Sequence, residues 1–430
     1  MKQFTALFII SLLIFCSSVV YAYPLDGFDY TGMSRLEGYR LAQQGKVRGV
    51  RLYPGALLKR EQVDLRLFDY RELDLPKVDP DFADQVVKLL GDDADRYGIA
   101  VLDLSDLKQP RYSDHNGSTI YNPGSIGKLL VAAAVFQALA DLYPDDIGAR
   151  ERILRETVVT ADRFINYDHH KVPMWHPGET RIVQRPLIIG DKANLWTYLD
   201  WMLSASSNAA ASMVMKHLLL IKQYGNEYPV TELEAEKFFR KTPKQTLADL
   251  LTNALDEPII GSGLDPALLR QGKFFTREGK HRVGGRRSSS NARELVRFLL
   301  RLEQGRVVDS FSSREIKRLL YMTQGRIRYA SSPALAQAAV YFKSGSLYSC
   351  RPEPEFQCGK YRGNVFNFMN SVAVVEAPAG EPRLFYLVAI TSNVLRENSA
   401  VAHQTLATRL HRLIEAYHLR KQRNAVQSGR

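Results

Sequence analysis

The chain has 430 residues, of which 45% are hydrophobic, 24% charged and 10% aromatic. That length calls for two or three structural units, and the composition excludes a mainly disordered, collagen-like or small disulfide-stapled chain. The 58 basic against 46 acidic side chains give a formal charge of +12, which favours anionic surroundings such as cell-wall polymer, lipid head groups or nucleic acid and says nothing about fold.

Lys2 precedes an uncharged apolar stretch, residues 4–15, and small residues then lead to Val20-Tyr21-Ala22. This order matches a secretory signal peptide over 1–22, so the mature chain is expected to start at Tyr23 and to be periplasmic or secreted. Lipid attachment at Cys16 is disfavoured by the bulky Phe15 before it. No other uncharged run approaches the roughly 18 residues of a membrane span, so no stable span is expected. Cys350 and Cys358 are close enough to close a short loop in an oxidising compartment. A disulfide is the expected use, and the alternative, a reactive thiol, lacks a supporting histidine nearby.

Residues 23–80 are polar, with scattered Pro and Gly, and read as a wrapped extension with little core of its own. Residues 82–90 have helical apolar spacing, and 97–104 (YGIAVLDL) form a short β-branched run that predicts a buried strand. Residues 125–139 are apolar almost all round, as in a helix buried on every side. From 151 to 251 the period is mainly helical, clearest at 194–202 and 208–220. Residues 261–290 are a loop-rich basic interruption. Helical spacing returns at 292–302 and 312–321, strand-like runs follow at 338–342, 365–375 and 384–391, and an amphipathic helix covers 400–419. There is no internal repeat. This order predicts an α+β fold: an antiparallel sheet flanked by helices (81–115 and 291–422), an all-α lobe (116–290) and a basic tail (423–430).

Ser125-Ile126-Gly127-Lys128 is a Ser-x-x-Lys at the start of the buried helix, where a three-residue step puts both side chains on one face. A serine hydroxyl needs a base at neutral pH, and a lysine whose pKa is depressed can serve. The helix start adds unpaired NH groups for a developing oxyanion. Chance supplies roughly two such motifs in a chain this long, and Ser105 to Lys108 is another, in a turn beside Pro110. Ser206-Ser207-Asn208 opens a second apolar helix and offers a hydroxyl and an amide that can shuttle a proton and hold a carbonyl. A plain helix cap explains the same residues, as it does Ser289-Ser290-Asn291. Lys343-Ser344-Gly345 ends the first late strand, with a cation, a hydroxyl donor and a glycine that lets backbone approach a ligand. Ser346 would add a second NH facing Ser125.

These motifs, in this order and on these elements, resemble the penicillin-recognising serine enzymes. Residues 96–417 are similar to a class A β-lactamase or a low-molecular-weight penicillin-binding DD-peptidase. The resemblance implies that Ser125 is acylated, Lys128 accepts its proton, and Ser206 and Asn208 line the opposite wall. It further implies that Lys343 and Ser344 hold the substrate carboxylate, beside Gly345, while the NH groups of Ser125 and Ser346 form the oxyanion hole. No metal or cofactor is implied. A small β-lactam or a peptidoglycan stem peptide is the expected substrate, the expected state is a monomer, and nucleic acid is not an expected partner.

Class A enzymes carry a Glu-x-x-Leu-Asn loop whose glutamate activates the deacylating water, and no such spacing occurs between the second and third motifs here. Glu257 and Glu278 lie in the interval, and a solvated loop carboxylate explains either more readily. Two rivals stand beside the hydrolase. Asp168, His169, His170, His176 and Glu179 crowd together as a zinc site would, although their spacing fits no zinc motif. A non-catalytic module could instead grip peptidoglycan peptides, with the basic runs at 282–287 and 420–430 drawing in anionic polymer.

Overall fold

Five strands assemble one antiparallel sheet in the computed structural model, which describes residues 21–428. Cys16 and the expected export stretch as far as residue 20 lie outside the described residues. The strands are β1 (Tyr97–Asp103), β2 (Arg111–His115), β3 (Ala339–Ser349), β4 (Phe366–Ala377) and β5 (Leu384–Asn393), in the order β2-β1-β5-β4-β3. All seven residues of β1 are buried because both faces of the sheet are covered. Ala100 and Leu102 join the core under the helical lobe, and Ile99 and Val101 join the second core on the opposite face.

The helices that matter for the site are α1 (Lys128–Leu142), α2 (Leu195–Leu203), α3 (Asn208–Tyr224), α4 (Lys244–Gly261), α5 (Ala292–Glu303), α6 (Ser310–Leu320) and α7 (Ser399–Ser428). Lys128 through Phe136 are buried without a break, and α1 packs against α3, α4 and α6. The segment Gly124–Leu142 is also long and apolar enough to cross a membrane by composition, yet 72% of its most apolar window is inside the protein. On the far face of the sheet, Leu406, Ala407, Leu410 and Ile414 of α7 follow helical spacing and close the second core.

Three expectations need correction. Lys343-Ser344-Gly345 does not end its strand: β3 runs on to Ser349, with Lys343 opposite Val372, Ser344 opposite Ser371 and Gly345 opposite Asn370. Backbone pairing with β4 carries these weakly strand-forming residues. The helical stretch from 151 to 251 is interrupted by small ladders, Val158–Thr160 with Lys192–Asn194 and Lys171–Met174 with Val183–Pro186. The extension contains a helix, Ser34–Gln43, whose apolar spacing is obscured by Arg35, Glu37 and Arg40.

That extension shares the main core rather than lying on it. Met33, Leu36, Val63 and Leu67 are buried there, Arg35 pairs with Asp200 of α2 at 2.5 Å, and the Tyr23 hydroxyl donates to Glu315 of α6 at 2.8 Å. Cys350 and Cys358, in the loop between β3 and β4, are joined, with Cα atoms 6.2 Å apart.

Candidate active site

A tight 3-10 turn, Gly124–Gly127, leads into α1, so Ser125 precedes the α-helix that was expected to include it. Residues three apart eclipse in such a turn, and the Lys128 ammonium donates to Ser125 Oγ at 3.0 Å. It also donates to the Ser206 carbonyl at 2.6 Å and to Asn208 Oδ1 at 2.8 Å. From β3, Lys343 Nζ donates to Ser206 Oγ at 2.8 Å. The Ser206 hydroxyl is therefore flanked by two ammonium groups, with Lys128 Nζ 3.5 Å away.

In the Ser206 segment the helix cap and the lysine contacts fall on different residues. Ser207 is the cap, its hydroxyl accepting from the Ala210 NH at 3.1 Å, while Ser206 and Asn208 face the lysine. Ser206 adopts φ +58°, a left-handed conformation uncommon for a residue with a side chain.

Gly345 explains how the strand meets the turn. A Cβ there would lie 2.4 Å from the Pro123 carbonyl oxygen and 2.7 Å from the Ser125 amide nitrogen. Glycine lets β3 lie directly on the turn, where a Cβ on Gly124 would in turn lie 3.5 Å from the Ser346 amide nitrogen.

Burial dominates the electrostatics. It pulls the fully buried Lys128 down to a pKa of about 7, against the attraction of Asp168. Lys343 is also pushed well below the usual lysine range, by burial first and then by repulsion from Lys128 and Arg328. Among the described residues no carboxylate pairs with Lys128, Lys343 or Arg328.

Arg328 was not found from sequence. Its guanidinium donates to Ser344 Oγ at 2.7 Å, Ser346 Oγ at 3.1 Å and the Tyr361 hydroxyl at 2.9 Å. Both Arg328 and Tyr361 have left-handed backbones, φ +52° and +65°, and the Tyr361 carbonyl accepts from the Ser399 NH at the start of α7 at 3.1 Å. No motif contains either residue, so only the fold could reveal them.

The other sequence candidates lie elsewhere. Ser105 Oγ donates to Asp103 at 2.7 Å in its turn, and Asn291 caps α5 by accepting from the Glu294 NH at 2.8 Å. Glu257 pairs with Lys222 at 2.9 Å and Glu278 with Arg282 at 2.6 Å, and neither bonds to Ser125 or Lys128. What reaches Lys128 from the stretch after α4 is Phe275, whose ring centroid is 4.7 Å from Nζ. Gln271 packs against Gly127, where a Cβ would lie 1.9 Å from its amide oxygen.

The residues that crowd together as a zinc site would are taken up by local structure. Asp168 is buried against α3, and Glu179 accepts from the His176 backbone NH at 2.9 Å. Among the described residues no three His, Cys, Asp or Glu side chains are grouped to hold a metal ion.

Residues 81–414 match a family model described as the β-lactamase enzyme family. Among solved structures, the TLA-3 extended-spectrum β-lactamase superposes with a TM-score of 0.50 at 13% identity, over 78% of this chain and 98% of that one. A β-lactamase from Sphaerobacter thermophilus gives 0.50 at 14% identity, over 77% and 97%. These two likenesses establish a shared fold with an antiparallel sheet flanked by helices. A point mutant of PBP-A, solved as an acyl-enzyme complex with penicillin G, gives 0.47 at 12% identity, over 80% and 100%. A search of curated proteins finds no match.

Proposed function

The chain belongs to the β-lactamase enzyme family, and from that premise we propose that it is an exported serine hydrolase that opens β-lactam rings through a Ser125 ester. The observation that carries this is Lys128: a buried ammonium with a pKa of about 7, bonded to Ser125 Oγ and to the Ser206 segment. Its neutral form takes the Ser125 proton while Oγ attacks the carbonyl carbon. The carbonyl oxygen becomes an oxyanion facing the NH groups of Ser125 and Ser346. As the carbon–nitrogen bond breaks, Ser206 protonates the leaving nitrogen and recovers a proton from Lys128. Lys343, Ser344 and Arg328 supply the cationic and hydroxyl contacts for a substrate carboxylate.

A second reading, a peptidoglycan DD-peptidase or penicillin-binding protein, is favoured by one specific observation. Phe275, not a carboxylate, faces Lys128 from the stretch after α4. An ester formed at such a site lacks an evident base to activate water, so acylation outruns turnover.

A fluorescent penicillin and a chromogenic cephalosporin, each given to wild type and Ser125→Ala, test these readings. Label at Ser125 with steady cephalosporin turnover is the expected result for a β-lactamase. Stable label with little turnover selects the second reading. Absence of label, or equal label on Ser125→Ala, overturns both and leaves a non-catalytic peptide-binding module.

A further inference from the structure

Asp168 takes no part in the chemistry above, yet it is built into the wall of the site. Its side chain is 3% exposed. One carboxylate oxygen, Oδ2, accepts from the Ser207 hydroxyl at 2.9 Å and from the Ala209 NH at 2.8 Å. The other, Oδ1, is 2.5 Å from His170 Nδ1 and accepts from the His170 NH at 3.2 Å. The two Oδ2 donors flank Asn208, and the first adjoins Ser206, whose φ of +58° must be maintained by its surroundings. The Ser206 carbonyl and Asn208 Oδ1 are in turn two of the four hydrogen-bond acceptors of Lys128 Nζ among the described residues, and the two shortest.

We propose that Asp168 is a positioning residue for acylation: it clamps the Ser206–Asn208 turn from behind and places a negative charge behind the two oxygens of that turn that accept from Lys128. This rests on the Ser125 acyl-enzyme reading. The clamp orients Ser206 for proton transfer, and the charge sets how readily Lys128 gives up its proton.

The groups facing Lys128 are Asp168 from the loop before α2 and Lys343 from β3, with Arg328 behind Lys343; His170 faces Asp168. Burial pushes Asp168 up, but its bonds from His170 and the Ala209 NH outweigh this and hold it ionised well below the usual carboxylate range. Asp168 therefore stays negative across neutral pH and holds the Lys128 pKa up. Without its charge, Lys128 loses its proton at lower pH.

The test uses the full chain with Asp168→Asn and Asp168→Ala. Lysine side chains carrying a carbon-13 label are titrated by NMR to follow Lys128, and the acylation rate with fluorescent penicillin is measured against pH. In wild type both midpoints are expected at about 7. In Asp168→Asn, which keeps an oxygen acceptor for Ser207 and Ala209, both should fall by about half a pH unit or more with the plateau rate largely kept. In Asp168→Ala the plateau should also fall, by roughly tenfold or more, as Ser206 loosens. An Asp168→Asn protein that melts at lower temperature but keeps the wild-type midpoint has lost only a fold contact, and that result overturns the proposal. If Asp168→Ala does not fold, Asp168→Asn alone decides. If wild type takes no label, the acyl-enzyme reading fails, and the NMR midpoint still decides whether Asp168 tunes Lys128.

Discussion

A solvated lysine stays protonated at neutral pH, whereas Lys128 is wholly buried with only oxygen acceptors bonded to its ammonium, the condition that the proposed proton transfer requires. The same burial makes its neighbours decisive. Phe275 places a ring where a carboxylate would both attract the ammonium and activate water. Phe275→Glu is therefore expected to raise the Lys128 pKa, slow acylation at neutral pH and shorten the life of the acyl-enzyme by roughly tenfold or more. A chase of bound fluorescent penicillin measures that life, and an unchanged decay would show that Phe275 does not occupy the deacylation side. Ser125, Lys128, Ser206 and Lys343 were all visible in sequence because short motifs name their own residues. Arg328, Tyr361 and Phe275 were not, since nothing beside them in the chain marks them.

At the scale of elements, the site is the contact of a 3-10 turn with an edge strand, and Gly345 permits it. Gly345→Ala brings a methyl to 2.4 Å from the Pro123 carbonyl oxygen, backbone that cannot swing aside as a side chain can. The strand must then retreat from Ser125. The expected cost is about 1–3 kcal/mol of stability, with acylation falling by about two orders of magnitude as the Ser125 and Ser346 amides separate. Thermal melting and labelling kinetics read the two effects separately; wild-type acylation in this variant would mean that the amide pair is not the oxyanion site. The types of most elements followed from periodicity, and the errors are instructive. β3 extends past its apolar residues because β4 pairs with it along its whole length, and the ladders near residues 158–194 are too short for an alternating pattern to show.

Across the whole molecule, the extension is fastened to the rest of the fold by buried charge. Lys317 of α6 reaches Glu303 at 2.8 Å, Glu376 of β4 at 2.7 Å and the Asp64 carbonyl at 2.6 Å, and Arg66 of the extension also reaches Glu376, at 2.8 Å. Lys317→Met would leave two carboxylates buried with Arg66 as their remaining cation, so a loss of about 3–5 kcal/mol is expected in denaturant unfolding. A variant as stable as wild type would mean that water or rearrangement reaches the cluster.

The motif residues and most strand and helix types were set down by local identity and local periodicity, which a linear chain carries openly. What the tertiary structure alone decided is which distant residues share a surface: Lys343 with Ser206 across 137 positions, the extension with α6, Asp168 with α3 and Arg328 with β3. Such contacts depend on how sheet and helices pack, and burial, which moves the lysine pKa values, exists only after that packing is complete.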